Sequence, residues 1–138
     1  MRACKAVKFL DLQEVHALHE RMLKIGGGRS GIHDFAMFHS AIERPKAQYG
    51  GKYLYMTIWM MAGALLQSMV RNHPFEDGNK RTGYYSTKRF LYKNGFNLKP
   101  KDKDVLGFVV GVDVKHTSTE DIANWLKKNS KELMRPLQ

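Results

Sequence analysis

Between Lys52 and Arg71 lie 18 residues, 53–70, without a charged side chain. That length touches the lower limit for a membrane span. Thr57, Gly63, Gln67, Ser68 and two tyrosines interrupt it, however. The stretch therefore reads as a buried helix over about 57–72, and no membrane association is expected. A helix without a polar face must be covered on every side, and the centre of an all-α domain does that.

The rest of the 138-residue chain can supply the covering elements. Asp11 followed by Glu14 reads as an N-cap and capping-box pair, and a helix over 11–24 follows with Val15, Leu18, Met22 and Leu23 as its apolar stripe. Gly26, Gly27 and Gly28 end it and open a plain flexible loop to about Ile32. Asp34 caps a second helix with Phe35, Phe38, Ala41 and Ile42 on one face, and Pro45 stops it. Residues 45–55 read as a loop or short hairpin with Tyr49, Gly50 and Gly51 at its bend. After a break at 73–78 a fourth helix runs to about Asn94, where Asn94-Gly95 is a stop signal. Residues 96–103 read as a basic connector and 104–114 as a helix in preference to a strand. Thr117 with Glu120 opens a last helix ending near Lys128. The expectation is one domain over 1–138, with 129–138 a frayed tail. Small residues on the third helix (Ala62, Gly63, Ala64) and the fourth (Thr82, Gly83, Ser86, Thr87) predict close packing of the two, with the intervening loop held between them.

Composition excludes several classes. Hydrophobic residues make up 43% and charged residues 26%, so the chain is neither disordered nor low-complexity. Cys4 is the only cysteine, which rules out an intrachain disulfide scaffold and fits a reducing compartment. Residues 1–10 lack the apolar run of a signal peptide, and a cytoplasmic location is expected. Charge is more informative. Lys and Arg number 23 against 13 Asp and Glu, a net +10. Residues 71–103 carry nine of those cations and three acids, so +6 falls in this segment. Such a field favours an anionic partner. No aromatic pattern for RNA and no zinc spacing accompanies it, so nucleic acid is not the expected partner.

Within that segment lies His73-Pro74-Phe75-Glu76-Asp77-Gly78-Asn79-Lys80-Arg81. Pro74 keeps His73 off a helix face, and Phe75 can anchor the loop in the core. Asp77-Gly78-Asn79 is a turn running into a helix, whose free N–H groups and dipole bind anions. Lys80 and Arg81 oppose that dipole, so an anion between them would explain their presence. Asp77 is a hard oxygen ligand beside it, as magnesium on phosphates requires. His73 is a base able to act near neutral pH. These parts together suit phosphoryl or nucleotidyl transfer. Other candidates read as structural. The 26–31 loop with Arg29 lacks the ending of a phosphate loop. His16 and His19 lack a third metal ligand and read as surface or edge residues. Met56, Met60, Met61 and Met69 read as core filling.

The nine-residue motif resembles the signature of the Fic/Doc superfamily, and lysine at position 80 resembles the Doc branch, the death-on-curing toxins of toxin–antitoxin modules. Gly31-Ile32-His33-Asp34, Ala41-Ile42-Glu43-Arg44-Pro45, Tyr49-Gly50 and Asn94-Gly95 are similar to further Doc landmarks in the same order. The resemblance spans roughly 7–128. It implies an all-α Fic/Doc-type domain of about six helices, with the motif loop between two central helices. It also implies a protein kinase that uses ATP and Mg2+ to move the γ-phosphate to a hydroxyl of a target, with translation elongation factor Tu the expected target and arrest of translation the result. His73 would be the base and Asp77 the metal ligand. Gly78, Asn79, Lys80, Arg81 and Arg71 would contact nucleotide or phosphate, and the 45–55 loop would align the target. A cognate antitoxin, Phd-like or another small neighbour-encoded protein, would be the partner. Two departures from Fic enzymes bear on this. Tyr84 stands where many have a second arginine, and no self-inhibiting Ser/Thr-x-x-x-Glu-Gly/Asn motif occurs. The alternatives are Fic-type AMP transfer to a protein hydroxyl, or an inactive basic binding module on the same fold.

Overall fold

The computed structural model describes residues 6–134, so Cys4 and the last four residues of the expected tail lie outside the described residues. The fold is all-α. Its helices are α1 (Leu12–Gly26), α2 (Phe35–Glu43), α3 (Ile58–Asn72), α4 (Asn79–Lys93), α5 (Asp102–Val114) and α6 (Thr119–Lys128). A 3-10 turn (Arg44–Lys46) follows α2. Two small antiparallel pairs complete it: β1 (Gln48–Tyr49) with β2 (Lys52–Tyr53), and β3 (Phe96–Leu98) with β4 (Ser130–Glu132). No helix among the described residues is long and apolar enough to cross a membrane.

The charge-free helix α3 is the axis of the molecule. It starts at Thr57, whose side chain accepts from the Met60 N–H, and residues 61–70 are buried without interruption. Helices α2, α4, α5 and α6 all pack on it. The resulting core draws on every helix: Val15, Phe38, Leu65, Leu66, Met69, Phe90, Val112, Ile122 and Leu126 all belong to it. Close approach of α3 and α4 takes place at Gly83, where a Cβ would sit 3.1 Å from Met69 Cβ. Gly63 serves a different contact from the one expected. Its missing Cβ admits the N-terminus of α6, with Thr119 O 3.0 Å from where that atom would be. Arg44 fastens the same corner, donating to Tyr55 Oη, Ala64 O, Ser68 Oγ and Thr119 Oγ1.

Several local expectations need correction. Phe35 does not join the buried face of α2; it is exposed, while Phe38, Ala41 and Ile42 are buried. Glu14 does not complete a reciprocal cap on α1. Asp11 caps the Glu14 N–H, and the Glu14 carboxylate instead pairs with Arg89 and Lys93 of α4. Ser118, one residue later than expected, caps α6 by accepting from the Asp121 N–H. The 96–103 segment is not merely a connector, and the chain from 129 does not fray through 130–132. Phe96, Asn97 and Leu98 pair with Glu132, Lys131 and Ser130, and the ladder is extended by Lys99 N–H to Asn129 O. The physical reason is that Leu98 is fully buried and Phe96 packs on Trp59 at 4.7 Å, so the returning strand covers an apolar edge. Within the 45–55 segment, residues 48–53 form a short hairpin. Gly50 and Gly51 both have positive φ (59° and 79°), as a tight two-residue turn between twisted strands demands.

A side chain at Gly83 would have to push α3 and α4 apart. Gly83→Val is expected to lower the free energy of unfolding by about 1–3 kcal/mol, read as an earlier urea midpoint with an unchanged slope.

Candidate active site

The loop between α3 and α4 is held by contacts on every side. Phe75 is buried, and its ring lies against His19 of α1 (3.7 Å, nearly parallel) and Phe38 of α2 (4.9 Å). Asn79 closes the loop from below: its Oδ1 accepts from the Phe75 N–H and its Nδ2 donates to Phe75 O, both at 2.9 Å. Residues 31–34 run antiparallel beside it. Glu76 N–H donates to Gly31 O, and the N–H groups of His33 and Asp34 donate to Pro74 O. The glycine-rich segment expected to be a plain flexible loop is therefore paired to the motif.

His19 was expected at the surface or an edge. It is fully buried, and its Nε2 donates to Asp77 O at 2.7 Å, since a carbonyl can only accept. Gly78 beside it has φ +80°, a left-handed conformation that glycine adopts without strain, and a Cβ there would touch His19 and Leu23. The signal available in the sequence was position: His19 falls one turn after Val15 and just before Met22 and Leu23, on the buried stripe of α1.

His73 ends α3 in the left-handed region (φ 49°, ψ 56°), a conformation that costs a non-glycine residue about 1–2 kcal/mol. The proline that follows disfavours continuation of the helix, and Pro74 is buried and hydrogen-bonded, so the exit is fixed. The imidazole is half exposed. Facing it is a residue that sequence reasoning missed, Asp113 in the last turn of α5. Asp113 Oδ1 lies 3.6 Å from His73 Nε2 and Oδ2 lies 3.2 Å from Lys80 Nζ. His73 and Lys80 thus flank one carboxylate. No local motif surrounds Asp113 in the sequence; only the packing of α5 on α3 brings it here.

The other expected phosphate contacts are arranged differently. Asn79 is turned back onto Phe75, as above. Arg81 donates to Met22 O and Gly27 O, capping the carbonyl end of α1. Gly26 makes that possible, because a Cβ at Gly26 would fall on the Arg81 guanidinium. Arg71 donates to Val112 O (2.9 Å) and Thr117 O (2.7 Å), so it fastens the α5–α6 junction and with it Asp113. Gly78 is the N-cap of α4 and offers no side chain, and no side-chain hydrogen bond caps that helix. Its first-turn N–H groups are the free donors an anion would use. Of the motif cations, Lys80 is the one with an acidic partner rather than carbonyls.

Asp77 is partly exposed at the edge of this helix start. Its Oδ2 accepts from the Arg29 N–H at 2.7 Å, with Arg29 Nε at 3.6 Å. Among the described residues no group of three or more His, Cys, Asp or Glu side chains could hold a metal. A lone carboxylate fits an ion that takes most of its ligands from phosphates and water, as magnesium with a nucleotide does. Beside the motif a cleft of about 630 Å³ opens between α1, α4 and α5, lined by Met22, Lys80, Arg81, Tyr84, Leu106 and Val109 among others. Burial, and then the neighbouring Tyr85 and Asp102, push the Tyr84 hydroxyl up to about 12, so it stays neutral where an arginine would be charged.

The Fic/DOC family model matches residues 9–91, which contain α1 to most of α4 and every motif residue. The chain belongs to the Fic/DOC family. Toxin Doc of Mycolicibacterium smegmatis is 42% identical over 72 residues, covering 52% of this chain and 55% of that protein. Protein kinase doc of Escherichia phage P1 is 25% identical over 122 residues, covering 88% of this chain and 95% of that protein. With relatives of that name the chain stands on the Doc branch. The six-helix fold with the motif between α3 and α4 agrees with that placement.

Asn79 satisfies two buried backbone groups that have no water to turn to. Asn79→Ala should destabilise the protein by about 1–3 kcal/mol. The loss should register as faster amide exchange at Phe75 and Glu76 well before global unfolding.

Proposed function

We propose that this chain is a Doc-type toxin that transfers the γ-phosphate of ATP to a serine or threonine hydroxyl of a target protein, with translation elongation factor Tu as the target to test first. The observation that supports it is the space between His73 and Lys80. A carboxylate fits between a histidine and a lysine there, and a phosphoryl group is of similar size and sign. The names of the two relatives support the same reading.

In this reading the target hydroxyl approaches His73, which removes its proton as the oxygen attacks the γ-phosphorus. The bond from that phosphorus to the bridging oxygen of the β-phosphate breaks, and ADP leaves. Lys80 and the N–H groups at the start of α4 offset the charge on the transferred group. Magnesium, held by Asp77, would supply the remaining neutralisation on the phosphates. Lysine at position 80, the residue on which the resemblance to the Doc branch rests, argues for γ-phosphate over AMP transfer.

Incubation of the purified chain with cell lysate and labelled ATP tests this directly. Label from the γ position, and none from the α position, should appear on a band of elongation-factor size. His73→Ala should reduce the rate by about 10²–10⁴ with the helical spectrum unchanged. Label from the α position alone would replace the kinase reading with AMP transfer.

The same reading calls for a separate antitoxin, because the chain lacks the self-inhibiting motif of other family members. An acidic segment that folds on docking suits the +6 segment over 71–103. Expression alone should arrest growth, and co-expression with the adjacent reading frames should restore it. Harmless expression of an active-site-intact chain would rule out a toxin.

A further inference from the structure

The two charges that meet at the centre of the site each stand at the wrong end of a helix. Lys80 lies in the first turn of α4, where the dipole disfavours a cation. Asp113 lies in the last turn of α5, where the dipole disfavours an anion and no basic residue of that turn compensates it. Each is offset by the other across 3.2 Å. A phosphate at the start of α4 would satisfy Lys80 and the α4 dipole together, and would leave Asp113 without its partner.

Asp113 is also held firmly in place. It is only 22% exposed, and the backbone around it is fixed by Arg71 on Val112 O and Thr117 O, and by the Thr117 hydroxyl on Gly111 O. Arg71 is two residues before His73 on the same helix, so one side chain ties the carboxylate to the base.

We infer that Asp113 is a further functional residue of this site: a built-in carboxylate that occupies Lys80 in the nucleotide-free protein and competes with the nucleotide's phosphate for it. This rests on the reading of the site as one that binds ATP. Binding then exchanges one anion for another at Lys80, and Asp113 raises the nucleotide concentration needed to fill the site. His73 Nε2, 3.6 Å from the other oxygen, is beyond hydrogen-bonding distance and stays available to a hydroxyl.

The test is calorimetric titration of the full chain with magnesium and ATP, in four forms: the parent, Asp113→Asn, Lys80→Met and the double variant. Asp113→Asn keeps the shape and removes the charge. It should lower the Kd by about two- to five-fold, the effect of a partly exposed ion pair. In the Lys80→Met background the same change should have no effect, because nothing remains to compete for. Asp113→Ser should act in the same direction as Asp113→Asn, which guards against a fold defect in either. Unchanged or weaker binding by both Asp113 variants overturns the inference while leaving the nucleotide site intact. An equal gain with and without Lys80 also overturns it, since that would be general repulsion between the carboxylate and ATP. Absence of binding by the parent overturns the nucleotide reading itself, and this inference with it.

Discussion

Ten consecutive residues of α3, 61–70, have no face in contact with water. That single constraint organises the molecule. A helix with one apolar stripe needs one neighbour; a helix apolar all round needs a cage. Helices α2, α4, α5 and α6 form that cage, and Gly63 and Gly83 let α6 and α4 come close enough to close it. The cage ends where α3 ends, at Arg71, Asn72 and His73. The charged motif therefore emerges at the point where the ends of α5, α4 and the 31–34 segment converge. The site is a consequence of where the buried helix stops.

What keeps the motif loop in one shape is a set of contacts that leave no backbone group of Phe75 unpaired. Asn79 takes both its N–H and its carbonyl, while His19 and Phe38 cover its ring. Neighbouring backbone groups go to the 31–34 segment and to His19. Phosphoryl transfer, the reaction proposed for this loop, would need its base and its anion site held within a fraction of an ångström. Here the side chains that do the holding, His19 and Asn79, also resemble candidates for chemistry when read in sequence. In this structure both side chains bond the backbone of the loop.

The fold was largely legible because its determinants are local. Asp11, Asp34 and Thr57 cap the helices they precede, glycines end α1, and the charge-free run marks the centre. The bend of the β1–β2 hairpin was visible in Gly50-Gly51, but the sequence left a plain loop equally open. Less was legible wherever the determinant is a partner far along the chain. Strand β4 forms because Leu98 and Phe96 need a cover, and nothing local in Ser130-Lys131-Glu132 says so. His19 is buried because Phe75, far along the chain, offers a ring and Asp77 a carbonyl. Asp113 enters the site because α5 packs on α3. In the motif itself, the sequence singles out the charged residues but not which partners each one takes in the fold.

That choice of partners follows from the chemistry of the cations. Read as a string, the motif region presents Arg71, Lys80 and Arg81 as three equivalent positive charges around one anion. A guanidinium, however, is a planar fork with five donors, weakly hydrated and well matched to several carbonyl oxygens at once. Arg81 uses it to close the end of α1, Arg71 to bind the α5–α6 junction, and Arg44, outside the motif, to join α2, α3 and α6. An ammonium group is a compact point charge without that fork, and Lys80 is the motif cation left facing an ion. The excess of positive charge in this segment thus does two different things. Arg71 and Arg81 bond main-chain carbonyls and tie helices together, and Lys80 pairs with the Asp113 carboxylate.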